Sequence, residues 1–132
     1  MKKALLLLVL LVSFSGFSQM NKHVAVNNCE IIKLALSEKK IIEYLHNELP
    51  QRSKLYLVKN EFCNLNEKLG KINIETVDEK VIVDKKNYIK ITSLKIEKDG
   101  KILELYYPME EVVFVVKFDN NDKITDIDIM EK

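Results

Sequence analysis

The chain has 132 residues, 47% hydrophobic and 31% charged, with 21 basic against 20 acidic side chains. That is enough for one core, and the near-neutral balance argues against nucleic-acid or anionic-membrane binding, which needs a basic excess or stripe. Arg52 is the single arginine, so a site built from several bidentate guanidinium contacts to phosphate or carboxylate is excluded, with lysines left as point charges.

The first eighteen residues read as a targeting segment. Lys2 and Lys3 form a positive n-region, Ala4 to Val12 an unbroken apolar h-region, and Ser13 to Ser18 a c-region. Gly16 and Ser18 stand three and one residues before a cut at Gln19. The apolar run is about half of the ~20 residues that span a bilayer, which predicts cleavage and no stable membrane anchor. Cys29 lies too far downstream for lipid attachment. The expected mature chain, residues 19–132, is a single α+β domain exported to the periplasm or beyond the cell. Loss of Lys2 and Lys3 leaves it 19 basic against 20 acidic side chains.

Asn27 and Glu30 have capping-box spacing. Behind them Ile31, Leu34, Ala35, Ile41, Ile42, Leu45 and Leu49 recur at helical spacing and define one face. Ser37 to Lys40 interrupts that face, either as a solvated turn of one long helix or as a junction where Ser37 caps a second. Pro50 ends the helical region.

Strands follow. Leu55 to Lys59 is short, Glu61 to Gly70 reads as a loop with one helical turn, and Lys71 to Val77 and Lys80 to Asp84 read as further strands. Tyr88 onward carries the strongest pattern: two alternating runs around Asp99-Gly100, a hairpin signal. With those two as the loop, Ile96 faces Leu103, Leu94 faces Leu105, and Lys95 faces Glu104. Ile89 and Ile91 have the wrong parity for that face, which predicts a bulge at Thr92-Ser93. Pro108 separates a second hairpin, Val112 to Phe118 and Ile124 to Ile129. Its loop has two residues, pairing Phe114 with Ile127, or four, pairing Phe114 with Ile129 and Lys117 with Asp126. Both parities of Val112 to Val116 are apolar, as in a strand covered on both faces. The expected fold is α+β: an N-terminal helical layer on a curved antiparallel sheet of five to seven strands. Ile96, Leu103, Leu105, Val112, Phe114, Val116, Ile127 and Ile129 are expected to bury against Ile31, Leu34, Ile42 and Leu45.

Candidate chemistry is sparse. His23 and His46 are the only histidines, and neither has a second His or Cys at ligand spacing, so no metal site and no cofactor is expected. There is no Gly-x-Ser-x-Gly, and three glycines cannot build a phosphate-cradling loop. Asp126 and Asp128 share a strand face, either as an acid/base pair or as a solvated face near Lys117. Tyr106 and Tyr107 put aromatics on both faces of a strand end, as candidate binding residues or as core-to-rim residues. Cys29 and Cys63 fall in the exported part; they form a disulfide across 34 residues or remain two small apolar side chains.

Helices first and an antiparallel meander after them resemble, in element order, the cystatin-like and nuclear-transport-factor-like (NTF2-like) rolls. The cystatin motif Gln-x-Val-x-Gly is absent, so the resemblance implies no protease inhibition by that route, and rolls host enzymes, pocket binders and inhibitors alike. The expected function is a non-catalytic exported binding domain, for instance of inhibitor or immunity type. The alternative is a small-ligand pocket of NTF2-like type, for an apolar ligand, with or without isomerase or hydrolase activity through Asp126, Asp128 or Tyr107.

Overall fold

The computed structural model describes residues 28–82 and 85–132. The expected export signal, the Asn27 cap and His23 lie outside those residues. What is described is α+β: two helices on one face of a seven-stranded mixed sheet.

The helical region is broken in two. Helix α1 covers residues 28–36, and α2 is Lys39–Leu45. Between them Glu38 is extended (φ −73°, ψ 135°) and forms the N-cap of α2 without a side-chain cap bond. Ser37 does not cap α2. Its hydroxyl donates to the Lys33 carbonyl at 2.7 Å and so closes α1. The buried face of α1 is Ile31, Ile32, Ala35 and Leu36, while Leu34, expected inside, is 44% exposed. The cause is covalent. Cys29, Ile32 and Leu36 lie on one flank at i, i+3 and i+7, and a disulfide joins Cys29 to Cys63 with Cα atoms 5.1 Å apart. Anchoring that flank turns Leu34 outward.

Asn60 builds the loop that presents Cys63. Its Oδ1 accepts the N–H groups of Phe62 and Cys63, both at 2.8 Å, and its Nδ2 donates to the carbonyls of Val58 and Cys63. These side-chain bonds take the place of the expected helical turn.

Strands β1 (Lys54–Val58), β2 (Glu67–Leu69), β3 (Ile72–Val77), β4 (Tyr88–Glu97), β5 (Gly100–Tyr107), β6 (Val112–Phe118) and β7 (Ile124–Glu131) lie in the order β2-β3-β1-β4-β5-β6-β7. The sheet is not wholly antiparallel: β1 runs parallel to both β3 and β4. The reason lies at Lys80 to Asp84. Within its described residues the chain turns instead of extending, with Val81 N–H bonded to Asp78 and Ile82 N–H to Glu79. Ile82 is buried, and Val83 and Asp84 are outside the description. The chain leaves β3 and enters β4 on the far side of β1 running in the same sense, so β1, parallel to β3, is parallel to β4 as well.

The expected bulge is present. Ile91 pairs with Leu105 and Ser93 with Glu104, leaving Thr92 extra and putting Ile89, Ile91 and Leu94 on one face. The β4–β5 register is displaced by two residues from the expected one. Glu97 faces Gly100, Leu94 faces Leu103, and Ile96 faces Lys101, so Lys95 meets Ile102 and not Glu104. Gly100 (φ 154°) belongs to the ladder and passes so close to the Phe118 carbonyl oxygen that a Cβ there would collide with it. The turn therefore moves back to Lys98-Asp99, and Ile96 at the strand end is 62% exposed. An even displacement keeps every other side chain on its face.

In the second hairpin the pairing is that expected of the four-residue loop, Phe114 with Ile129 and Lys117 with Asp126, but a bulge then sets Phe118 against Ile124, so residues 119–123 form the connection. Asp119 Oδ1 accepts the N–H groups of Asn121 (2.8 Å) and Lys123 (3.0 Å), which closes this connection. The same bonds, that from Lys123 first, hold the Asp119 carboxyl below its usual range.

Phe114 is the centre of the core. It lies edge-on to Tyr44 of α2 (ring centroids 5.8 Å apart) and stacks on Tyr107 of β5 at 6.3 Å. Leu103, Leu105, Val112 and Val116 are buried with it under Ile31 and Leu45, whereas Ile42, Ile127 and Ile129 are only half-buried. Val113 and Val115 are half-buried as well, so β6 is fully covered on one face alone.

Two outcomes check this packing. Phe114→Ala should lower unfolding stability by roughly 3–5 kcal/mol in urea titration, the range for emptying a filled aromatic site. Replacing both Cys29 and Cys63 with serine should cost about 4 kcal/mol in the loop-entropy treatment of 34 closed residues. The native chain, unfolded without reductant, should titrate with no free thiol.

Candidate functional site

The two Tyr106-Tyr107 side chains separate. Tyr107 points inward and is fully buried. Its hydroxyl donates to Asn87 Oδ1, with the Leu45 carbonyl 3.5 Å away. Asn87 Nδ2 donates to the carbonyls of Lys54 (2.9 Å) and Arg52 (3.3 Å), and the Asn87 carbonyl accepts the Tyr56 N–H. Arg52 in turn donates to Glu110, whose carboxylate lies 3.8 Å from His46 Nε2. Burial pushes the Tyr107 phenol up to about 12; Glu110 adds to the rise, and the Arg52 guanidinium opposes it. This is a satisfied polar joint at the meeting of β1, β4, β5 and α2. Its hydroxyl is a donor already in use, with no path to solvent.

Tyr106 points the other way, onto the sheet face opposite the helices. The crossover after β3 reaches this face at its β1–β4 end, where Glu79 pairs with Lys90 at 3.0 Å. Cross-strand pairing lays Lys90, Tyr106, Val113 and Met130 in one row across β4 to β7. Tyr56 and Tyr88 pair directly across β1 and β4 and share the parity of Lys90. Three of the chain's five tyrosines thus line this face. Tyr56, Tyr88, Tyr106 and Val113 are half-buried, and Met130 is 50% exposed. Lysines flank the rings: Lys132 Nζ is 4.3 Å from the Tyr106 centroid, and those of Lys85 and Lys54 are 5.0 and 5.3 Å from that of Tyr56. Asp126 and Asp128 lie exposed on the same face of β7, opposite Lys117 and Val115.

A separate half-open groove of about 440 Å³ runs between the helices and the β2–β3 turn. Leu36, Ile42, Leu69 and Ile72 form its floor, with Glu48 and Lys71 at its rim. A bond from its own backbone N–H holds the Glu48 carboxyl below the usual range, with His46 adding to the effect. Neither Tyr106, Tyr107, Asp126 nor Asp128 lines this groove.

Among the described residues no three His, Cys, Asp or Glu side chains converge as a metal site, and no helix is long and apolar enough to cross a membrane. The chain matches no protein-family model, and no curated protein and no solved structure is significantly similar to it.

Sequence reading found Tyr106 but not its neighbours. Parity alone groups Tyr106, Val113 and Met130 once the two hairpins are paired. Tyr56 and Tyr88 join them only through the parallel β1–β4 ladder, which no local pattern signals. Asn87 belonged to no expected strand or helix, and its burial follows from the same ladder.

The Tyr107–Asn87 joint generates a pH prediction. A phenol raised from 10 in the unfolded chain to about 12 in the fold contributes stability that is complete below pH 10 and lost as pH rises through 12. The stability difference between the native chain and Tyr107→Phe should therefore shrink across that window in denaturant titrations. Asn87→Ala, which strands the hydroxyl, should cost roughly 1–3 kcal/mol at neutral pH.

Proposed function

We propose that this chain is an exported, non-catalytic binding domain that engages a protein partner through the outward face of its sheet, as an inhibitor or immunity-type protein would. The observation that carries this reading is the Tyr56, Tyr88, Tyr106, Val113 and Met130 surface. Both are enriched at protein interfaces, tyrosine because it offers a large contact area with a polar tip and methionine because its flexible, polarisable thioether adapts to a partner. Export is supported by the n-, h- and c-region pattern of residues 1–18 and by the Cys29–Cys63 disulfide, a bond that persists in oxidising compartments. The helices above the β4–β7 meander support a cystatin-like or NTF2-like roll in outline, and the parallel β1 departs from it.

The second reading is a small-ligand binder, favoured by the groove between the helices and the β2–β3 turn. Its volume and apolar floor suit an apolar molecule with one polar end for Glu48 or Lys71.

Affinity capture from the periplasm with residues 19–132, with mass spectrometry of proteins and small molecules in the same eluate, tests both. The expected result is a protein retained by the native chain and weakened about 30-fold or more by Tyr106→Ala with Met130→Ala, the loss of an aromatic hot spot. A small molecule that is retained instead, and lost with Glu48→Ala or Lys71→Ala, would replace the first reading with the second.

A further inference from the structure

The two edges of the sheet differ. Strand β2 has three residues, Glu67–Leu69, too short to template another strand. Strand β7, Ile124–Glu131, has eight and contains no proline and no lysine. Its bulge lies at one end, where Phe118 pairs with Ile124, and the ladder from Lys117↔Asp126 to Val112↔Glu131 is regular. The Lys132 N–H donates to the Glu111 carbonyl at 2.8 Å. Antiparallel bonding alternates from there, so Met130, Asp128 and Asp126 spend their backbone groups on β6. Ile127, Ile129 and Glu131 turn theirs to the open edge. The side chains of Ile127 and Ile129 point toward the core yet remain half-buried, because no neighbour lies beyond them among the described residues.

Charge selects the occupant. Asp126, Asp128 and Glu131 are exposed, and none is ion-paired among the described residues. Lys132 is drawn over the Tyr106 ring. Two copies meeting antiparallel through the middle of β7 would set aspartate against aspartate, which disfavours self-pairing. An extended segment alternating lysine with β-branched residues meets both demands. Its lysines lie across from Asp126 and Asp128, and its apolar side chains extend the cover over Ile127 and Ile129.

We propose that β7 is a docking edge for a basic, extended segment of the protein partner, added as an eighth antiparallel strand. This rests on the interaction reading above and names the chemistry of the partner at one margin of the same face.

The probe is a nine-residue synthetic peptide alternating lysine and valine, compared with one in which glutamate replaces lysine. With the native chain, the lysine peptide should bind and slow amide exchange at Ile127, Ile129 and Glu131, and the glutamate peptide should not bind. Asp126→Asn with Asp128→Asn, both on the surface, should weaken binding about tenfold at low salt, an advantage that fades near 0.5 M as screening shortens to roughly 4 Å. Ile129→Pro removes an N–H that faces solvent, so it should abolish binding while leaving the β6 ladder intact. Equal binding of both peptides, no binding of the lysine peptide, protection elsewhere than β7, or dimerisation through β7 would each overturn the proposal. A captured partner lost with Tyr106→Ala and Met130→Ala but retained by Ile129→Pro would overturn the edge and leave the interaction reading standing. Capture of a small molecule alone would overturn both.

Discussion

The sheet depends on a narrow seam. Strand β1 meets β4 through two parallel pairs, Tyr56↔Tyr88 and Leu57↔Ile89, where β4 and β5 share seven. So short a ladder is weak by itself, and Asn87 reinforces it. This side chain binds two carbonyls at the start of β1, receives the Tyr107 hydroxyl from β5, and through its own carbonyl starts the β1–β4 pairing. It is the one polar residue buried among those described. In that setting a fully satisfied polar group fixes a unique arrangement, since any other pairing strands donors in an apolar core. The mixed three-stranded part, β2-β3-β1, and the four-stranded antiparallel part, β4 to β7, are held as one sheet by this joint.

Helix placement follows from a second constraint at the far end of β1. The disulfide ties the first turn of α1 to the loop that Asn60 shapes, and the flank carrying Cys29, Ile32 and Leu36 is thereby committed to the core. Tyr44 of α2 meets Phe114, which in turn stacks on Tyr107. Covalent tether, aromatic stack and buried amide thus connect in sequence from the helices to the seam. With the helices committed to one face, the other face is left to Tyr56, Tyr88, Tyr106 and Met130, and its margin to β7.

The hairpins, the Thr92 bulge and the inward parity of Leu103, Leu105, Phe114 and Val116 were legible in the sequence, because each depends on residues a few positions apart and on alternation of period two. The presence of two cysteines and the end of the helical region at Pro50 were equally local. Sequence also indicated Tyr106 and Tyr107 as a pair on opposite faces, though not which of them met water.

Tertiary structure decided the rest, wherever a contact joined distant segments. The parallel placement of β1 came from a crossover at Lys80 to Ile82 whose apolar residues imitate a strand. The turn moved to Lys98-Asp99 because Gly100 has to pass the Phe118 carbonyl, a neighbour two strands' length away in the chain. Leu34 faced solvent because a bond 34 residues long in sequence rotated its helix. Asn87 became a core residue and Tyr56 joined Tyr88 for the same reason: burial and pairing across β1 and β4 are properties of the assembled sheet, and neither segment carries them alone.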